Sequence, residues 1–439
     1  GRFARETHFA GGNGVHRPFV RCDARAGGMA MKACVFTLGC KLNEVESASL
    51  MSGLKALGYE TTEELGPADL YLLNTCAVTR EAEKKSRQAV ARMRKYNPDA
   101  PVIVCGCAAE HHAEDFWGRE GVLLVTGAQG KGRLLDLLRE GKEGIFVEPE
   151  VGFSELPAPQ KTRTRAYLRI QDGCNRFCSY CLIPYLRGRS RSRKKEAIVT
   201  EALASPAKEL VLTGVDISDY HDGDCDLAGL LRLLKEVPAR IRLGSVEESA
   251  VTDELLSAMK EGNFMPHFHL SLQSGSDAVL RSMNRRYTRA EYLAACRQIY
   301  EAFPDAAITT DIIVGFPGES EADFEDSLSI VKEAGFSRVH VFPFSPREGT
   351  AAFKKPDLPA ALKHERVQRL MAAAREAEEA YLARFVGRES DVLFESDGGY
   401  TPNYLRVYAE GAEEGSLWRV RLEGREKDGL KAQLLHPLA

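Results

Sequence analysis

The chain lacks the features that would assign it to a membrane or to a secreted disulfide scaffold. No stretch approaches the roughly 18 apolar residues that a transmembrane helix requires, and no early segment resembles a signal peptide. Eleven cysteines are an odd number, and three of them lie too close together for a disulfide framework. We therefore expect no membrane association and a reducing, cytoplasmic setting.

The chain also lacks a large excess of charge of one sign, because its 439 residues carry a formal net charge of only -4. The protein as a whole is therefore not a polyanion binder, and any basic surface must be local. The sequence also shows no obvious constellation of acid and base residues. These absences direct attention to individual motifs.

The order of apolar and helical segments predicts an α/β protein with three domains. Residues 1–30 lack apolar periodicity, and we interpret them as a disordered extension. Between residues 31 and 150, alternating apolar and helical segments indicate a parallel sheet covered by helices. After a proline-rich linker, six strand and helix repeats at 160–375 indicate a partial β/α barrel. Short strands with glycine-containing turns at 376–439 indicate a small C-terminal β-barrel.

Three cysteines in the motif "CNRFCSYC" follow the first predicted barrel strand. Cys174, Cys178 and Cys181 could direct three thiolates at one metal centre and leave a fourth coordination position open. Chemistry in β/α barrels takes place at this end of the strands. The alternative is a structural zinc loop with a distant fourth ligand, but zinc sites favour paired C-x2-C ligands. An iron-sulfur reaction site is the better interpretation.

Further cysteines follow predicted strands of the first domain, in "TLGCKLN", "LNTCAVT" and "VIVCGCAAE". These are Cys40, Cys76, Cys105 and Cys107. Because the ends of parallel strands converge on one crevice, ligands far apart in the sequence could meet there. The alternative is that cysteines at strand ends are small buried apolar residues.

A basic tract surrounds Cys174, Cys178 and Cys181. Residues 161–195 contain eleven Lys or Arg residues and one acid, Asp172. Such a tract can neutralise phosphates and bring an RNA loop to the metal centre, although a charged run can also be a solvated face. The candidate RNA contacts are Arg187, Arg189, Arg191 and Arg193.

The motifs "TLGCKLNEVES", "NTCAVT", "VCGCAAE" and "DGCNRFCSYCLIPYLRGRSRSR" together resemble the methylthiotransferases of the radical S-adenosylmethionine superfamily. The resemblance extends from about residue 32 to 436 and includes "GYTPNYLRVY", which is similar to the RNA-binding TRAM domain. It implies S-adenosylmethionine and two [4Fe-4S] clusters as cofactors. Cys174, Cys178 and Cys181 would hold one cluster, with catalytic roles, and the other ligands would be Cys40, Cys76 and Cys107. Cys105 would then be a core residue.

The resemblance also implies contacts to S-adenosylmethionine at the ends of barrel strands. By their positions in the family motifs, the residues concerned are Gly214, Asp216, Glu247 and Gln273. The segment "RLGSVEES" departs from the family pattern, but the departure does not affect a cysteine ligand.

Members of this family modify either adenosine 37 of tRNA or an aspartate of a ribosomal protein. The segments "TLGCKLN" and "IPYLRGRSRSR" resemble the branch that converts N6-threonylcarbamoyladenosine 37 to its 2-methylthio derivative. The expected partners are the tRNA anticodon loop, an electron donor such as flavodoxin or ferredoxin, and a sulfur donor. Arg187 or Arg189 is a candidate partner of the threonylcarbamoyl carboxylate.

Three alternatives stay open at this point. Two are sister enzymes that act on N6-isopentenyladenosine 37 or on the ribosomal protein. The third is a non-catalytic RNA-binding protein stabilised by metal. In the C-terminal domain, Tyr400, Tyr404 and Arg406 are candidate RNA contacts, with packing in the sheet as the alternative for the tyrosines.

Overall fold

The computed structural model describes residues 30–149, 152–159 and 164–438. The predicted extension at 1–30 lies outside the described residues except for Ala30. Three folded units follow one another, and each is an α/β or β structure of the predicted kind. Within the described residues, no helix is both long and apolar enough to span a bilayer.

The N-terminal unit is a six-stranded sheet in which every pair of neighbouring strands is parallel. Its strand order is β2-β1-β3-β4-β5-β6. The strands β3 and β4 are buried along their whole lengths, which explains why they read as continuous apolar runs. The strands are β1 (Lys32–Thr37), β2 (Glu60–Thr62), β3 (Leu70–Thr75), β4 (Val102–Gly106), β5 (Val122–Thr126) and β6 (Gly144–Phe146).

Helices cover both faces of this sheet. One face packs on α1 and α5, and the other packs on α2, α3 and α4, so that two apolar cores lie on either side of the strands. The side chain of Thr79 caps α2 by accepting a hydrogen bond from the N–H of Ala82. The helices are α1 (Lys41–Ala56), α2 (Arg80–Tyr96), α3 (Cys107–His111), α4 (Ala113–Trp117) and α5 (Leu134–Arg139).

The central unit is the predicted partial β/α barrel. Its strands form two parallel sheets, β13-β10-β7 and β14-β15-β16-β17, and β13 leads directly into β14. All six predicted strands are present, one of them divided into β13 and β14, and two short antiparallel pairs, β8-β9 and β11-β12, are added to them. The strands are β7 (Arg165–Arg169), β8 (Gln171–Asp172), β9 (Arg191–Ser192), β10 (Glu209–Thr213), β11 (His221–Asp222), β12 (Cys225–Asp226), β13 (Arg240–Leu243), β14 (Ser245–Val246), β15 (His267–Leu270), β16 (Ala307–Val314) and β17 (Arg338–Pro343).

Helices alternate with these strands and enclose the largest apolar core of the described chain. Two of them begin with a full capping box, at Thr288 and Ser320. The last helix continues past the predicted domain boundary at residue 376. The helices are α6 (Ile183–Leu186), α7 (Lys195–Ala204), α8 (Leu227–Leu234), α9 (Asp253–Lys260), α10 (Asp277–Ser282), α11 (Arg289–Ala302), α12 (Glu321–Glu333) and α13 (Ala360–Ala383).

The C-terminal unit is a closed five-stranded barrel with the order β18-β19-β20-β22-β21. Because the sheet closes into a barrel, it has no exposed strand edges. Its core includes side chains of α13, so the barrel is packed on the central unit. The strands are β18 (Glu389–Glu395), β19 (Gly398–Tyr400), β20 (Arg406–Tyr408), β21 (Leu417–Glu426) and β22 (Gly429–Leu438).

A loop of the C-terminal barrel docks on the amino ends of the central strands, at the end opposite to the cysteine loop. Arg242 of β13 donates hydrogen bonds to the carbonyls of Thr401 (2.8 Å) and Pro402 (2.7 Å). Tyr404 stacks on His267 at the start of β15, with ring centroids 4.5 Å apart. Tyr404 therefore packs between the domains, and not within the sheet of its own barrel as the alternative had expected.

Candidate active site

The first group of cysteines lies at the carboxyl edge of the N-terminal sheet. Cys40, Cys76 and Cys107 follow β1, β3 and β4, which are neighbours in the sheet. The segments that follow β1 and β3 lie close together here, because a Cβ placed on Gly39 would lie 2.7 Å from the Cβ of Cys76. Cys40 is exposed, whereas the other two are buried, and burial raises the pKa of Cys76 to about 11. We call these three residues the N-terminal cysteine set.

Cys105 does not belong to this set, although it is only two residues from Cys107. It lies within β4 and packs in the core beneath α1 and α5, whereas Cys107 packs on the other face of the sheet. Gly106 between them has a φ of 100° and changes the direction of the chain. Burial raises the pKa of Cys105 to about 12. Its position is that of a core residue.

The second group, Cys174, Cys178 and Cys181, occupies the loop between β8 and α6, and we call it the barrel cysteine set. Backbone N–H groups of Arg176 and Ile183 each lie 3.4 Å from a sulfur, on Cys174 and Cys181 respectively. Burial raises the pKa of these two thiols to about 11 and about 12. N–H groups directed at sulfur favour the thiolate form, so this donor set fits an iron-sulfur cluster.

Arg285 completes the surroundings of the barrel cysteine set. Its guanidinium lies 3.4 Å from the sulfur of Cys178 and forms an ion pair with Glu247. Burial raises the pKa of Glu247 despite this pairing. Nothing in the sequence distinguished Arg285, since it lies in the loop before α11, more than a hundred residues after the cysteines.

The four predicted contacts to S-adenosylmethionine are distributed around this loop. Asp216 is buried and accepts a 2.8 Å hydrogen bond from Arg176, so it lies beside the cysteines together with Glu247. Gly214 packs on Gln171, since an added Cβ would lie 2.8 Å from the Gln171 carbonyl oxygen. Gln273 has a φ of 70° and pairs through its backbone with β16. Contacts of all four to the cofactor stay a prediction.

The two cysteine sets come together through short helices. The helix α6 directly follows the barrel cysteine set, and α3 begins at Cys107 of the N-terminal set. Leu182 and Leu186 pack in the same apolar core as Cys107. The two cysteine sets of different domains therefore lie on either side of one contact between α3 and α6.

The structure corrects the RNA role predicted for Arg187. Its side chain is 1% exposed and forms ion pairs with Glu46 (2.8 Å) and Asp172 (3.0 Å). It also donates a hydrogen bond to the Oδ1 of Asn43. Glu46 is buried in α1 and also pairs with Lys131. Arg187 therefore joins the N-terminal and central domains, and it is inaccessible both to RNA and to a substrate carboxylate.

The rest of the basic tract is also largely compensated. Arg193 forms ion pairs with Glu155 (2.9 Å) and Glu201 (2.6 Å), and its side chain is 11% exposed. Arg191 lies 3.4 Å from Asp172. Only Arg189 of the four predicted arginines is exposed, with its guanidinium 4.5 Å from the Phe177 ring centroid. The expectation of an unbalanced phosphate-binding tract is therefore wrong for most of its charge.

A cavity of about 390 Å³ lies inside the central barrel and extends to the N-terminal domain. Lys41, the residue after Cys40, lines it, and its ammonium lies 5.0 Å from the centroid of the Tyr167 ring. Both apolar and polar side chains from the barrel and the C-terminal loop form the remaining wall. The polar ones include His267, His269, Thr309, Ser337, Arg338, His340, Asn403 and Arg406.

Comparisons with known proteins agree with this architecture. Residues 168–331 match the radical SAM superfamily, and residues 32–127 match the uncharacterized protein family UPF0004. A solved radical S-adenosylmethionine methyltransferase, TsrM from Kitasatospora setae, has a similar fold, with a TM-score of 0.54 at 14% identity. The match covers 72% of this chain and 75% of that one.

Relatives with greater sequence similarity are tRNA-modifying enzymes. The chain is 36% identical to the threonylcarbamoyladenosine tRNA methylthiotransferase MtaB of Bacillus subtilis, over 88% of this chain and 92% of the relative. It is 35% identical to the tRNA-2-methylthio-N(6)-dimethylallyladenosine synthase of Cereibacter sphaeroides, over 92% and 99%. The chain therefore belongs to the tRNA methylthiotransferase family of radical S-adenosylmethionine enzymes.

Proposed function

We propose that this protein converts N6-threonylcarbamoyladenosine at position 37 of tRNA to its 2-methylthio derivative by radical S-adenosylmethionine chemistry. The observation that carries the proposal is the meeting of two three-cysteine sets from different domains at the contact between α3 and α6. The cofactors are S-adenosylmethionine and two [4Fe-4S] clusters. When bound, these groups would supply the radical and the sulfur chemistry that the reaction needs.

The residues of the chain have separate roles in this proposal. The barrel cysteine set would hold one cluster and the N-terminal cysteine set the other. Arg176 and Arg285 orient Asp216 and Glu247 beside the barrel cysteines, which supports a role of both carboxylates in binding S-adenosylmethionine. Arg285 also places its guanidinium 3.4 Å from the sulfur of Cys178.

Two partners besides the tRNA anticodon loop follow from the reaction. Radical cleavage of the cofactor needs an electron donor such as flavodoxin or ferredoxin, and the transferred sulfur needs a donor. A cytoplasmic location is proposed on the same grounds, because tRNA modification and reduced cysteines both require that compartment.

The position of Lys41, directly after Cys40 and on the wall of the barrel cavity, supports the choice of substrate within the family. A threonylcarbamoyl group carries a carboxylate and a hydroxyl, whereas a dimethylallyl group is purely apolar. The wall contains Lys41 and several histidines. A substrate carboxylate can pair with the ammonium of Lys41, whereas an apolar substituent cannot.

Substitution of Lys41 by Met tests this assignment. The variant, and Lys55→Met as a control at the exposed end of the same helix, would be reconstituted anaerobically and given anticodon stem-loops with either modified adenosine. Product nucleosides would be measured by mass spectrometry. Because the Lys41→Met variant loses a charged hydrogen bond to the substrate, its kcat/KM with the threonylcarbamoyl RNA should fall about tenfold or more. Its iron content should stay unchanged.

Two results would contradict the proposal. If the unaltered protein methylthiolates the dimethylallyl RNA faster than the threonylcarbamoyl RNA, the sister activity is correct. If it reconstitutes with zinc and little iron and forms no methylthio product, the reaction class is wrong. Equal activity of the Lys41→Met and Lys55→Met variants would remove Lys41 from substrate recognition.

A further inference from the structure

The helix α2 begins four residues after Cys76 and carries seven Lys or Arg residues against two Glu. Arg80 and Lys84 lie one turn apart on its first half, and both are exposed. Neither has a carboxylate oxygen within 4.0 Å in the part of the chain that the structure describes. These charges contrast with the basic tract at 187–193, which is largely neutralised inside the protein.

The nearby acid of α2 is withdrawn from the surface. Glu83 is buried, and it accepts a 2.9 Å hydrogen bond from His111 and forms a 2.6 Å ion pair with Arg347. Burial by itself would raise the pKa of Glu83, but these two partners lower it, and both contact the same carboxylate oxygen, Oε1. Glu83 therefore pairs with the buried Arg347 and does not offset Arg80 and Lys84. These two line a surface depression together with Asp115 and Glu348, but in the described chain neither lies within 4.0 Å of a carboxylate oxygen.

A second wall of the same surface comes from the segment after β17. Phe353 is 38% exposed, and the guanidinium of Arg80 lies 5.8 Å from its ring centroid. Lys354 beside it is exposed and likewise has no carboxylate partner in the described chain. We name Arg80, Lys84, Phe353 and Lys354 the α2 surface.

This surface borders both cysteine sets. The N–H of Ala352 donates a 2.7 Å hydrogen bond to the carbonyl of Ser179, which lies between Cys178 and Cys181. On the other side, the N–H of Val78 lies 3.5 Å from the sulfur of Cys76, and its side chain is 56% exposed just before α2. An RNA segment on the α2 surface would thus run along the edge of the candidate active site.

We propose that the α2 surface binds the sugar-phosphate backbone of the RNA loop next to the base that is modified. Uncompensated Arg and Lys side chains are the usual ligands of RNA phosphates, and an exposed aromatic ring beside them can stack on an unpaired base. The proposal rests on the proposed function, because it takes the substrate to be a single-stranded loop of tRNA. It assigns to α2 the role that the sequence had suggested for residues 187–193.

The helix itself offers a matched control for the test. Lys84 and Lys95 are both exposed and belong to the same helix, and neither has a carboxylate partner in the described residues. They are separated by eleven residues, or about 16 Å along the axis. At physiological salt this separation exceeds the Debye length of about 8 Å, so Lys95 is screened from a phosphate bound beside Lys84. Both substitutions change the net charge of the protein by the same amount, so a general effect of net charge should be similar for both.

The experiment measures binding of a fluorescent anticodon stem-loop with threonylcarbamoyladenosine to the reconstituted protein at several salt concentrations. Lys84→Glu and Lys354→Glu are each expected to weaken binding about tenfold at about 0.15 M salt, where Lys95 is screened from a phosphate beside Lys84. Each should also reduce the slope of log K against log salt by about one phosphate contact. Lys95→Glu should change affinity by less than about twofold, and iron content should be equal in all four proteins.

The outcomes separate this proposal from the proposed function. Equal weakening by Lys84→Glu and Lys95→Glu, or no effect of either Lys84→Glu or Lys354→Glu, overturns the α2 surface. If Lys84→Glu weakens binding selectively but the unaltered protein yields no methylthio product, the surface stands and the proposed reaction fails. If the unaltered protein is active and Lys84→Glu matches Lys95→Glu, the reaction stands and the surface is wrong.

Discussion

Replacement of Glu46 by Gln should strongly destabilise the contact between the N-terminal and central domains. Glu46 is fully buried and forms ion pairs with Lys131, Arg169 and Arg187. Asp172 is the other carboxylate of this group, with Arg187 3.0 Å away. Gln has nearly the shape of Glu but no charge, so the substitution leaves three buried cations facing an amide.

The expected cost follows from the burial of the charges. Removing one partner of a buried ion pair typically costs about 3 to 5 kcal/mol, because the remaining charges stay out of water without compensation. For a domain of 150 to 250 residues, each kcal/mol lowers the melting temperature by roughly 2 to 4 °C. We therefore expect the melting temperature of Glu46→Gln to fall by on the order of 10 °C.

Glu44→Gln is the matched control for this measurement. Glu44 lies on the same helix and pairs with Lys41 at 2.7 Å, but both side chains are about half exposed, at 48% and 50%. Such a surface pair contributes about 1 kcal/mol or less. Urea unfolding followed by circular dichroism would compare the two variants with the unaltered protein. A loss below about 1 kcal/mol for Glu46→Gln would refute the assignment of a buried charge network.

The pH dependence of the effect of Glu46→Gln gives a second test of this charge network. Burial alone would raise the pKa of Glu46, but the charges of Arg187, Lys131 and Arg169 outweigh it and lower the pKa. The stabilisation is therefore complete above the unfolded pKa of about 4.3, and it is lost as the pH falls below that value. The stability difference between the unaltered protein and Glu46→Gln should narrow by about 1.4 kcal/mol per pH unit below pH 4. A constant difference from pH 7 to pH 3 would contradict this reasoning.

Two further substitutions test the N-terminal cysteine set and the docking of the C-terminal barrel. In Gly106→Ala, the new Cβ would lie 2.5 Å from the Thr75 carbonyl oxygen at a φ of 100°, so iron content should fall from about eight to about four. Cys105→Ala should retain all the iron, and equal loss in both variants would contradict the ligand assignment. In Arg242→Met, the carbonyls of Thr401 and Pro402 lose their hydrogen bonds, and the buried Glu209 loses a partner at 2.9 Å. The C-terminal barrel should then dock less firmly, and trypsin should cleave faster between α13 and β18. An unchanged cleavage rate would argue against docking through this residue.

Much of the fold could be predicted from local patterns. Alternating apolar and helical segments indicated the parallel sheet, and six strands of the central barrel lie where their apolar runs predicted them. The cysteines at strand ends were predicted to converge because parallel strands place their carboxyl ends at one edge of a sheet. These features depend on the chain within a few residues of each motif. The distinction between Cys105 and Cys107 came from family resemblance, and the structure explains it by the turn at Gly106.

The functions of individual charges could not be predicted in the same way. Arg187 lies in the densest part of the basic tract, but its partner Glu46 is 141 residues away in the sequence. Arg285 contacts Cys178 across 107 residues, and no local motif marks it. Conversely, Lys84 is part of an ordinary amphipathic helix and gains significance only because Glu83 beside it is turned inward to Arg347.

The sequence by itself determined the order of the elements, the two cysteine sets and the family, because these depend on periodicity and on short motifs. Only the tertiary structure decided which cations are free, because the pKa, the exposure and the pairing of a side chain depend on the charges that packing brings beside it. A tract of arginines has the same sequence whether it faces RNA or a buried carboxylate. In this protein, packing of α1 against the central barrel placed Glu46 beside Arg187 and withdrew that charge from the surface, whereas Arg80 and Lys84 of α2 are exposed.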